Sequence, residues 1–276
     1  MFFTIITATR NAAATLPRLL DSLAAQTCRD FELIIQDGAS TDGTVGLAEA
    51  YRDRLPALSL DSAPDRGIYD AWNKALGRIQ GEWVLFLGAD DELAGGDTLE
   101  SCRQTLSLLD EKICYAGGIV ARVASDGSVA SHVPFAPAAV EKMQWRHMPF
   151  AHQGLWHRNN LFDGCTFDAS LRIAGDYDLV CRTWTPENGS HVLPFVVTKM
   201  YRGGVSDSPQ SILRIRWENA AVSSRYFPNV WTFSCLSGLM KGGLVRLICA
   251  IFGARAPIVL DAGRRLRGLP PAWKEL

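Results

Sequence analysis

Residues 81–91 of the chain read GEWVLFLGADD, an apolar run that ends in two adjacent carboxylates. The run is long enough for one buried strand, and Gly88 begins the turn that carries Asp90 and Asp91. Two interpretations of this pair remain open. It can be an ordinary turn that caps the helix near Asp97, or a site for a hard divalent cation such as Mg²⁺ or Mn²⁺.

Strands and helices alternate on the N-terminal side of this run. The apolar runs Phe3 to Thr7 and Phe31 to Gln36 flank an amphipathic stretch, Ala13 to Gln26, which predicts a βαβ unit. The same patterns predict a helix from Thr44, a short strand Leu58 to Leu60 and a helix Ile68 to Ile79. We therefore expect an α/β fold, in which helices cover both faces of a mostly parallel central sheet and ligands bind beyond the carboxyl ends of the strands.

The C-terminal side is less regular. A helix, a β pair around Ile119 to Arg122 and Val129 to Val133, and a loop with proline and histidine fill residues 99–162. A helix is predicted after Asp176, a strand over Val192 to Lys199, and an amphipathic segment over Ile212 to Arg225. These patterns predict a domain over 1–208, which changes in character near residue 98, and a helical, amphipathic extension over 209–276.

Composition argues against several classes of protein. The 276 residues are 47% apolar, and 28 Lys and Arg nearly balance 29 Asp and Glu, so no overall field favours nucleic acid. The seven cysteines are scattered and form no C-x-x-C pair, which argues against disulfides and zinc and favours the cytoplasm. No run of about 18 apolar residues occurs, and the first residues lack the features of a signal peptide, so we expect neither a spanning helix nor a leader.

Several other residues can carry chemistry, and each has a structural alternative. Asp37 can bind a base or ribose, or close an Asx turn. Arg66 can approach a phosphate, or remain an exposed cation. Asp176 can act as a general base within about 3 Å of a hydroxyl, or cap its helix. His152 and Gln153 can line an acceptor site, or make structural hydrogen bonds.

Five phrases, taken in order, strongly resemble the family 2 glycosyltransferases with the GT-A fold. They are TATRN (7–11), DGASTDGT (37–44), DRGIYDAWNK (65–74), GEWVLFLGADD (81–91) and GDYDL (175–179). The resemblance covers about residues 2–206, and it implies that 1–208 is a catalytic domain with a nucleotide-binding half (1–98) and an acceptor-binding half (99–208). It implies an inverting transfer of a sugar from a nucleotide-diphosphate sugar to a hydroxyl of a glycan or lipid-linked saccharide.

The resemblance also implies roles for single residues. It implies nucleotide contacts from Thr7, Arg10, Asp37, Asp65, Arg66 and Asp90. Asp90 and Asp91 are implied to hold Mn²⁺ or Mg²⁺, and Asp176 to be the catalytic base. The chain departs from the family pattern at Gly88 and Gly175, where acidic residues are frequent, and at Gly203–Gly204, where a histidine is frequent.

Within the family, the phrases DRGIYDA and AGDYDL resemble bacterial enzymes that build surface polysaccharides on lipid-linked acceptors. The extension fits such a role, because its apolar residues, with Trp231 among them, are interrupted by cations at Lys241, Arg246, Arg255, Arg264, Arg265 and Arg267. Two hypotheses remain open: the extension contacts the inner face of the cell membrane, or it packs on the catalytic domain or on a second subunit in a homodimer.

Two alternative functions compete with the glycosyltransferase hypothesis. A sugar nucleotidyltransferase normally has a Gly-rich basic loop after its first strand, whereas Ala12–Ala14 and Thr15 occur here. A catalytically degenerate family member would bind a nucleotide or glycan without turnover. The departures at Gly88 and at 203–204 motivate that alternative, while the retained carboxylates favour activity.

Overall fold

The computed structural model describes residues 1–124, 126–137, 148–185, 187–201 and 211–227, and residues 240, 243, 244, 247, 248, 250 and 251. Of these, the residues up to 201 belong to one compact unit and those from 211 onward to a second. The predicted boundary between residues 208 and 209 lies outside the described residues. The division of the first unit at residue 98 stays a prediction.

One sheet organises the first unit. Its strands are β1 (Phe3–Thr9), β2 (Phe31–Asp37), β3 (Leu58–Ser62), β4 (Trp83–Gly88), β5 (Glu92–Leu93), β6 (Ile113–Val123), β7 (Val129–Val133), β8 (Leu155–Arg158) and β9 (Gly189–Tyr201). Their order across the sheet is β3-β2-β1-β4-β8-β6-β9-β5, and β7 pairs with β6. β1, β2 and β4 are almost continuously buried, as central strands covered on both faces must be, and β4 is apolar throughout.

Strand direction changes halfway across the sheet. β1, β2, β3 and β4 run parallel, whereas β8 is antiparallel to both β4 and β6. The pair β6–β9 is parallel, but β5 and β7 pair antiparallel. The expectation of a mostly parallel sheet therefore holds for residues 3–88 and is too simple beyond them. β8 enters the sheet from a 3₁₀ turn at His152–Gly154 and pairs antiparallel with β4 on one side and with β6 on the other.

Helices cover both faces of this sheet. The helices of the first unit are α1 (Leu16–Ala24), α2 (Thr44–Glu49), α3 (Ile68–Leu76), α4 (Thr98–Leu106) and α5 (Gly175–Thr183). Leu16, Leu19, Leu20 and Leu23 of α1 recur at helical spacing and are fully buried with Phe3 and Leu85 of the sheet. On the other face Trp72 of α3 packs on Phe86 of β4, with ring centroids 4.7 Å apart.

The second unit contains α6 (Ile212–Tyr226), in which Val222 is buried and Trp217 is exposed. Helical residues continue between 240 and 251, and Met240, Leu244, Leu247 and Ile251 expose more than half of their surface. None of the described helices is long and apolar enough to cross a membrane. Trp231 and the six cations named above lie outside the described residues.

Candidate active site

Three strand ends define one edge of the sheet. In the parallel register, Thr9 of β1 lies opposite Asp37 of β2, and Ala8 lies opposite Gly88 of β4. The two acidic turns therefore leave the sheet side by side, as the order of the elements predicts. Thr7 lies two residues before this edge. It is fully buried, and no hydrogen-bond partner for its hydroxyl occurs among the described residues.

Asp37 organises the loop that follows β2. Its carboxylate accepts hydrogen bonds from the hydroxyls of Thr9 (2.8 Å), Ser40 (2.5 Å) and Ser62 (2.7 Å) and from the Ser40 amide (2.8 Å). Burial acts to raise the pKa of Asp37, but these hydrogen bonds outweigh it and leave the pKa below its ordinary value. Four donors occupy the carboxylate, so the Asx-turn interpretation describes this side chain, and its predicted contact with a nucleoside stays a prediction.

Asp65 and Arg10 meet at Gly38, the first residue of the loop. The amide of Gly67 donates to the Asp65 carboxylate at 2.8 Å. A Cβ atom on Gly38 would lie 2.3 Å from the other Asp65 oxygen and 3.5 Å from Cδ of Arg10. A side chain at this position would displace the Asp65 carboxylate. The structure brings Arg10, Asp65 and the loop after Asp37 together, which is the grouping expected of nucleotide-binding residues.

Arg66 is an exposed cation in an ion pair. Its side chain is 77% exposed, and Nη2 lies 3.0 Å from Oδ1 of Asp70, whose other oxygen lies 3.2 Å from Lys74. The Arg66 amide, and then the two cations, lower the pKa of Asp70 to about 2, although partial burial opposes them. The exposed-cation alternative therefore describes Arg66 here, and its contact with a phosphate stays a prediction.

The carboxylates of Asp90 and Asp91 converge above Gly88. A Cβ atom on Gly88 would lie 2.6 Å from Oδ1 of Asp90 and 2.9 Å from Oδ2 of Asp91. Asp91 is only 2% exposed and accepts a hydrogen bond from the Gly88 amide at 3.0 Å. Burial, and then repulsion by Asp90, raise the pKa of Asp91 to about 8. The departure at Gly88 thus has a steric reason, because a side chain there would strike both carboxylates.

This pair is suited to a hard divalent cation. Two converging carboxylates, one buried and with a raised pKa, form an oxygen site whose charge is poorly compensated. Across the part of the chain that the structure describes, no group of three or more His, Cys, Asp or Glu side chains could hold a metal ion.

Arg18 supports the acidic turn, a contact that no pattern in the sequence predicts. From α1 its guanidinium donates to the carbonyl oxygen of Asp90 at 3.2 Å and lies 3.7 Å from the centre of the Tyr201 ring. The Tyr201 hydroxyl and Nζ of Lys199 both donate to Glu92, at 3.0 and 2.9 Å. The turn is therefore tied to α1 and to the end of β9.

Asp176 lies in the first turn of α5, where the helix dipole favours a negative charge. The helix begins at Gly175, so Asp176 is inside the first turn and Ala174 occupies the N-cap position. Its Oδ1 accepts hydrogen bonds from the Tyr177 amide (2.8 Å) and the Tyr69 hydroxyl (3.2 Å). The N-cap alternative for Asp176 is therefore wrong. Its function as a base stays a prediction.

The predicted acceptor residues lie deeper than expected. His152 is 4% exposed, and its ring packs against those of Phe86 and His157 with centroids 5.6 and 4.9 Å away. Gln153 is half-buried, and its carbonyl oxygen accepts a hydrogen bond from Thr198 at 2.8 Å. The side chain of His152 belongs to an aromatic cluster under α3, and no hydrogen-bond partner for its Nε2 occurs among the described residues. Its predicted place in the acceptor site and its structural hydrogen bond both stay predictions.

Comparison with known proteins identifies relatives. The family model described as "Glycosyl transferase family 2" matches residues 4–174. A PGL/p-HBAD biosynthesis glycosyltransferase from Mycobacterium bovis is 32% identical over 186 residues, which cover 66% of this chain and 70% of the relative.

Solved structures show the same fold. A mannosyltransferase from Pyrobaculum calidifontis in complex with GDP-Man and Mn²⁺ matches with a TM-score of 0.64 at 20% identity, covering 98% of this chain and 81% of that one. Residues 1–349 of TarS from S. aureus, in complex with UDP-GlcNAc, also match with a TM-score of 0.64, at 19% identity and with 96% and 88% covered. At such identities these structures establish the fold alone.

Proposed function

Since this chain belongs to glycosyl transferase family 2 and has the GT-A fold, we propose that it is an inverting, metal-dependent enzyme. It moves a sugar from a nucleotide-diphosphate sugar to a hydroxyl of a glycan or lipid-linked saccharide in surface polysaccharide biosynthesis. The observation that carries this proposal is the convergence of Asp90 and Asp91 above Gly88 at the edge of the sheet.

Asp90 and Asp91 hold Mn²⁺ or Mg²⁺ in this proposal. When bound, the ion neutralises charge on the leaving nucleoside diphosphate. Asp91 is the deeper ligand, because it is buried and accepts a hydrogen bond from the Gly88 amide. Asp90 is half-buried. Arg18 keeps the turn in place through the Asp90 carbonyl.

Asp176 is the general base. The acceptor hydroxyl oxygen bonds to the anomeric carbon while the bond from that carbon to the diphosphate oxygen breaks, and the electron pair leaves with the nucleoside diphosphate. The hydroxyl proton goes to Asp176. Attack opposite to the leaving group inverts the anomeric centre. The half-buried position of Asp176 at a helix N-terminus, where the carboxylate form is favoured, supports this role.

The nucleotide is bound by Arg10, Asp65 and the backbone of the loop after Asp37. Arg10 is exposed, and no carboxylate pairs with it among the described residues, so its charge is available to a phosphate. Asp37 contributes by fixing the loop.

The test is a screen of UDP- and GDP-sugars for release of nucleoside diphosphate with Mn²⁺, Mg²⁺ or EDTA. We expect metal-dependent turnover that falls by at least about 100-fold in both Asp91→Asn and Asp176→Asn. Asp97→Asn and Asp163→Asn, which change exposed carboxylates near each site in sequence, should retain wild-type turnover. Unchanged turnover in EDTA would contradict the metal site, and nucleotide binding without release would favour the degenerate, binding-only alternative.

We further propose that the chain works in the cytoplasm, on the inner face of the cell membrane, through its second unit. Met240, Leu244, Leu247 and Ile251 are spaced four, three and four residues apart and are exposed, which places them on one helical face. Residues 228–276 carry seven Lys and Arg and two Asp and Glu. An apolar face in a cationic segment is what an anionic bilayer binds.

Sedimentation of the full chain with vesicles tests this contact. Vesicles with anionic lipid should bind the chain and purely zwitterionic vesicles should bind it less. The double variant Leu244→Glu, Leu247→Glu should lose binding, while Leu108→Glu, at an exposed leucine of the first unit, should not. If the double variant binds vesicles as the wild type does but dissociates a dimer, the face is an interface between two copies of the chain.

A further inference from the structure

Hydrogen bonds and ring contacts connect α3, and Arg66 just before it, to residues 167–172, which lead into α5. The side-chain Nδ2 of Asn73 donates to the Phe167 carbonyl oxygen at 2.9 Å, and its Oδ1 accepts a hydrogen bond from the backbone amide of Phe167 at 2.8 Å. Arg172 donates to the carbonyl oxygen of Arg66. The rings of Tyr69 and Phe167 stack with centroids 5.6 Å apart. The helix that follows Asp65 and the segment that carries Asp176 are thus held together over their length.

Tyr69 makes the contact nearest to the reacting groups. Its hydroxyl has one proton and two acceptors within reach, the Ile173 carbonyl oxygen at 2.5 Å and Oδ1 of Asp176 at 3.2 Å. The two acceptors share a bifurcated hydrogen bond, of which Asp176 has the longer branch. Burial, and then the charge of Asp176, place the pKa of Tyr69 well above its ordinary value, so the phenol keeps its proton and acts as a donor.

The ring of Tyr69 also explains the glycine before the base. A Cβ atom on Gly175 would lie 2.7 Å from the Tyr69 ring. The space that an acidic side chain would need at residue 175 is therefore filled by this ring. Tyr69 and Gly175 form a matched pair, in which the ring of one requires the absence of a side chain on the other.

We propose that Tyr69 is the positioning residue of the base: its hydroxyl fixes the Asp176 carboxylate against the start of α5 and sets the proton affinity of that carboxylate. This inference rests on the proposed function, in which Asp176 takes the acceptor proton. Two donors, the Tyr69 hydroxyl and the Tyr177 amide, hold the same oxygen, Oδ1, so the carboxylate cannot rotate without losing both.

Other charged groups on the packed elements are kept constant in the test. They are Arg66 just before α3, Asp70 and Lys74 on α3, Arg172 in the segment before α5, and Asp178 and Arg182 on α5. Tyr69→Phe removes the hydroxyl and leaves these groups and the ring packing in place.

The experiment compares the pH profile of kcat/KM for Tyr69→Phe with that of the wild type, with a donor found in the screen. A carboxylate that loses a donor holds its proton more tightly. We expect the acidic limb to move to higher pH by about half a unit or more, and kcat to fall about tenfold with donor KM within about twofold. Tyr51→Phe, which removes a hydroxyl that donates to Asp21 at 3.0 Å on the surface, should change neither.

Two further measurements separate the possible failures. If Tyr69→Phe does not fold, 3-fluorotyrosine at position 69, a stronger donor of the same shape, should move the acidic limb to lower pH. An unmoved limb with kcat within twofold of wild type overturns the inference. If Asp176→Asn keeps wild-type turnover, the base assignment itself fails. If Asp176→Asn is inactive while Tyr69→Phe behaves as wild type, the positioning role alone fails.

Discussion

The folded state disfavours the ionised form of the Asp91 carboxyl group. Its pKa is raised to about 8 from the ordinary 3.8, so between these values the folded state binds more protons than the unfolded state. The free energy of unfolding must therefore fall as pH rises through this window, and the loss is complete above about pH 8.

Removing this carboxylate should stabilise the protein without metal. We expect Asp91→Asn to melt at a higher temperature than the wild type in EDTA at pH 8, and the difference to shrink toward pH 5. Mn²⁺ should raise the melting temperature of the wild type but not of the variant, because only a ligand of the folded state stabilises it. Thermal melts over pH 5 to 9 measure both effects. A difference that does not depend on pH would contradict the buried charge.

Two buried histidines, His152 and His157, have the opposite effect to Asp91 on how stability depends on pH. Burial lowers the pKa of His157 to about 3, and burial and then His157 lower that of His152. Below pH 6.5, the ordinary pKa, these histidines bind protons in the unfolded state but stay neutral in the folded state. The free energy of unfolding therefore falls as pH falls toward 3. Each ring contributes a slope of up to about 1.4 kcal/mol per pH unit.

His157→Phe should remove one of these slopes. The phenyl ring can keep the contacts with Phe86 and Tyr115, whose centroids each lie 5.6 Å from the imidazole. Urea unfolding at pH 7 and pH 5 should show a smaller loss in the variant than in the wild type, while His132→Phe, at an exposed strand position, should show the wild-type loss. An equal loss in all three proteins would place the acid sensitivity elsewhere.

At the scale of elements, the stability of the base-bearing segment depends on α3. Asn73 makes two hydrogen bonds with the backbone of Phe167, 94 residues away. We expect Asn73→Ala to lower the free energy of unfolding by about 2 kcal/mol, because it leaves a carbonyl and an amide without their partner. Asn160→Ala, at an exposed position, should cost less than about 0.5 kcal/mol in the same urea titration. Equal effects would mean that water replaces the Asn73 contacts.

Local sequence patterns predict the strands better than they predict the contacts between elements. The apolar runs around Phe31 and Trp83 gave strands within one or two residues of those observed, because central strands must be apolar on both faces. Helix ends were less well defined, since the amphipathic stretch from Ala13 extends beyond α1, Leu16–Ala24. The antiparallel β8 could not be foreseen, because strand direction depends on the connection and not on the composition of the strand.

The candidate site divides in the same way. Carboxylates at strand ends, such as Asp90 and Asp91, are predictable because parallel strands end at one edge. Arg18 and Tyr69 were not predicted, since each acts on a residue 72 or 107 positions away and nothing local marks such a contact. His152 was predicted to line the acceptor site because it is polar, whereas the structure buries its ring against Trp72 and Phe86.

At the scale of the whole molecule, charge is divided unevenly along the chain. The chain as a whole has a net charge of −1, and residues 228–276, with seven cations and two anions, carry +5, which leaves −6 for residues 1–227. An anionic surface therefore attracts the C-terminal segment and repels the rest. In the proposed membrane contact, this asymmetry would bring the C-terminal segment to the lipid.

Salt should therefore separate membrane binding from catalysis. Electrostatic attraction to anionic lipid is screened within a Debye length, about 10 Å at 0.1 M and 3 Å at 1 M salt. Raising NaCl from 0.05 to 0.5 M, on the order of a tenfold step across this range, should weaken sedimentation with anionic vesicles several-fold. Hydrolysis or transfer with a soluble acceptor should change much less, since its metal site is partly buried. Vesicle binding that persists unchanged at high salt would mean that the apolar face of Leu244 and Leu247 suffices, and that the cations serve another purpose.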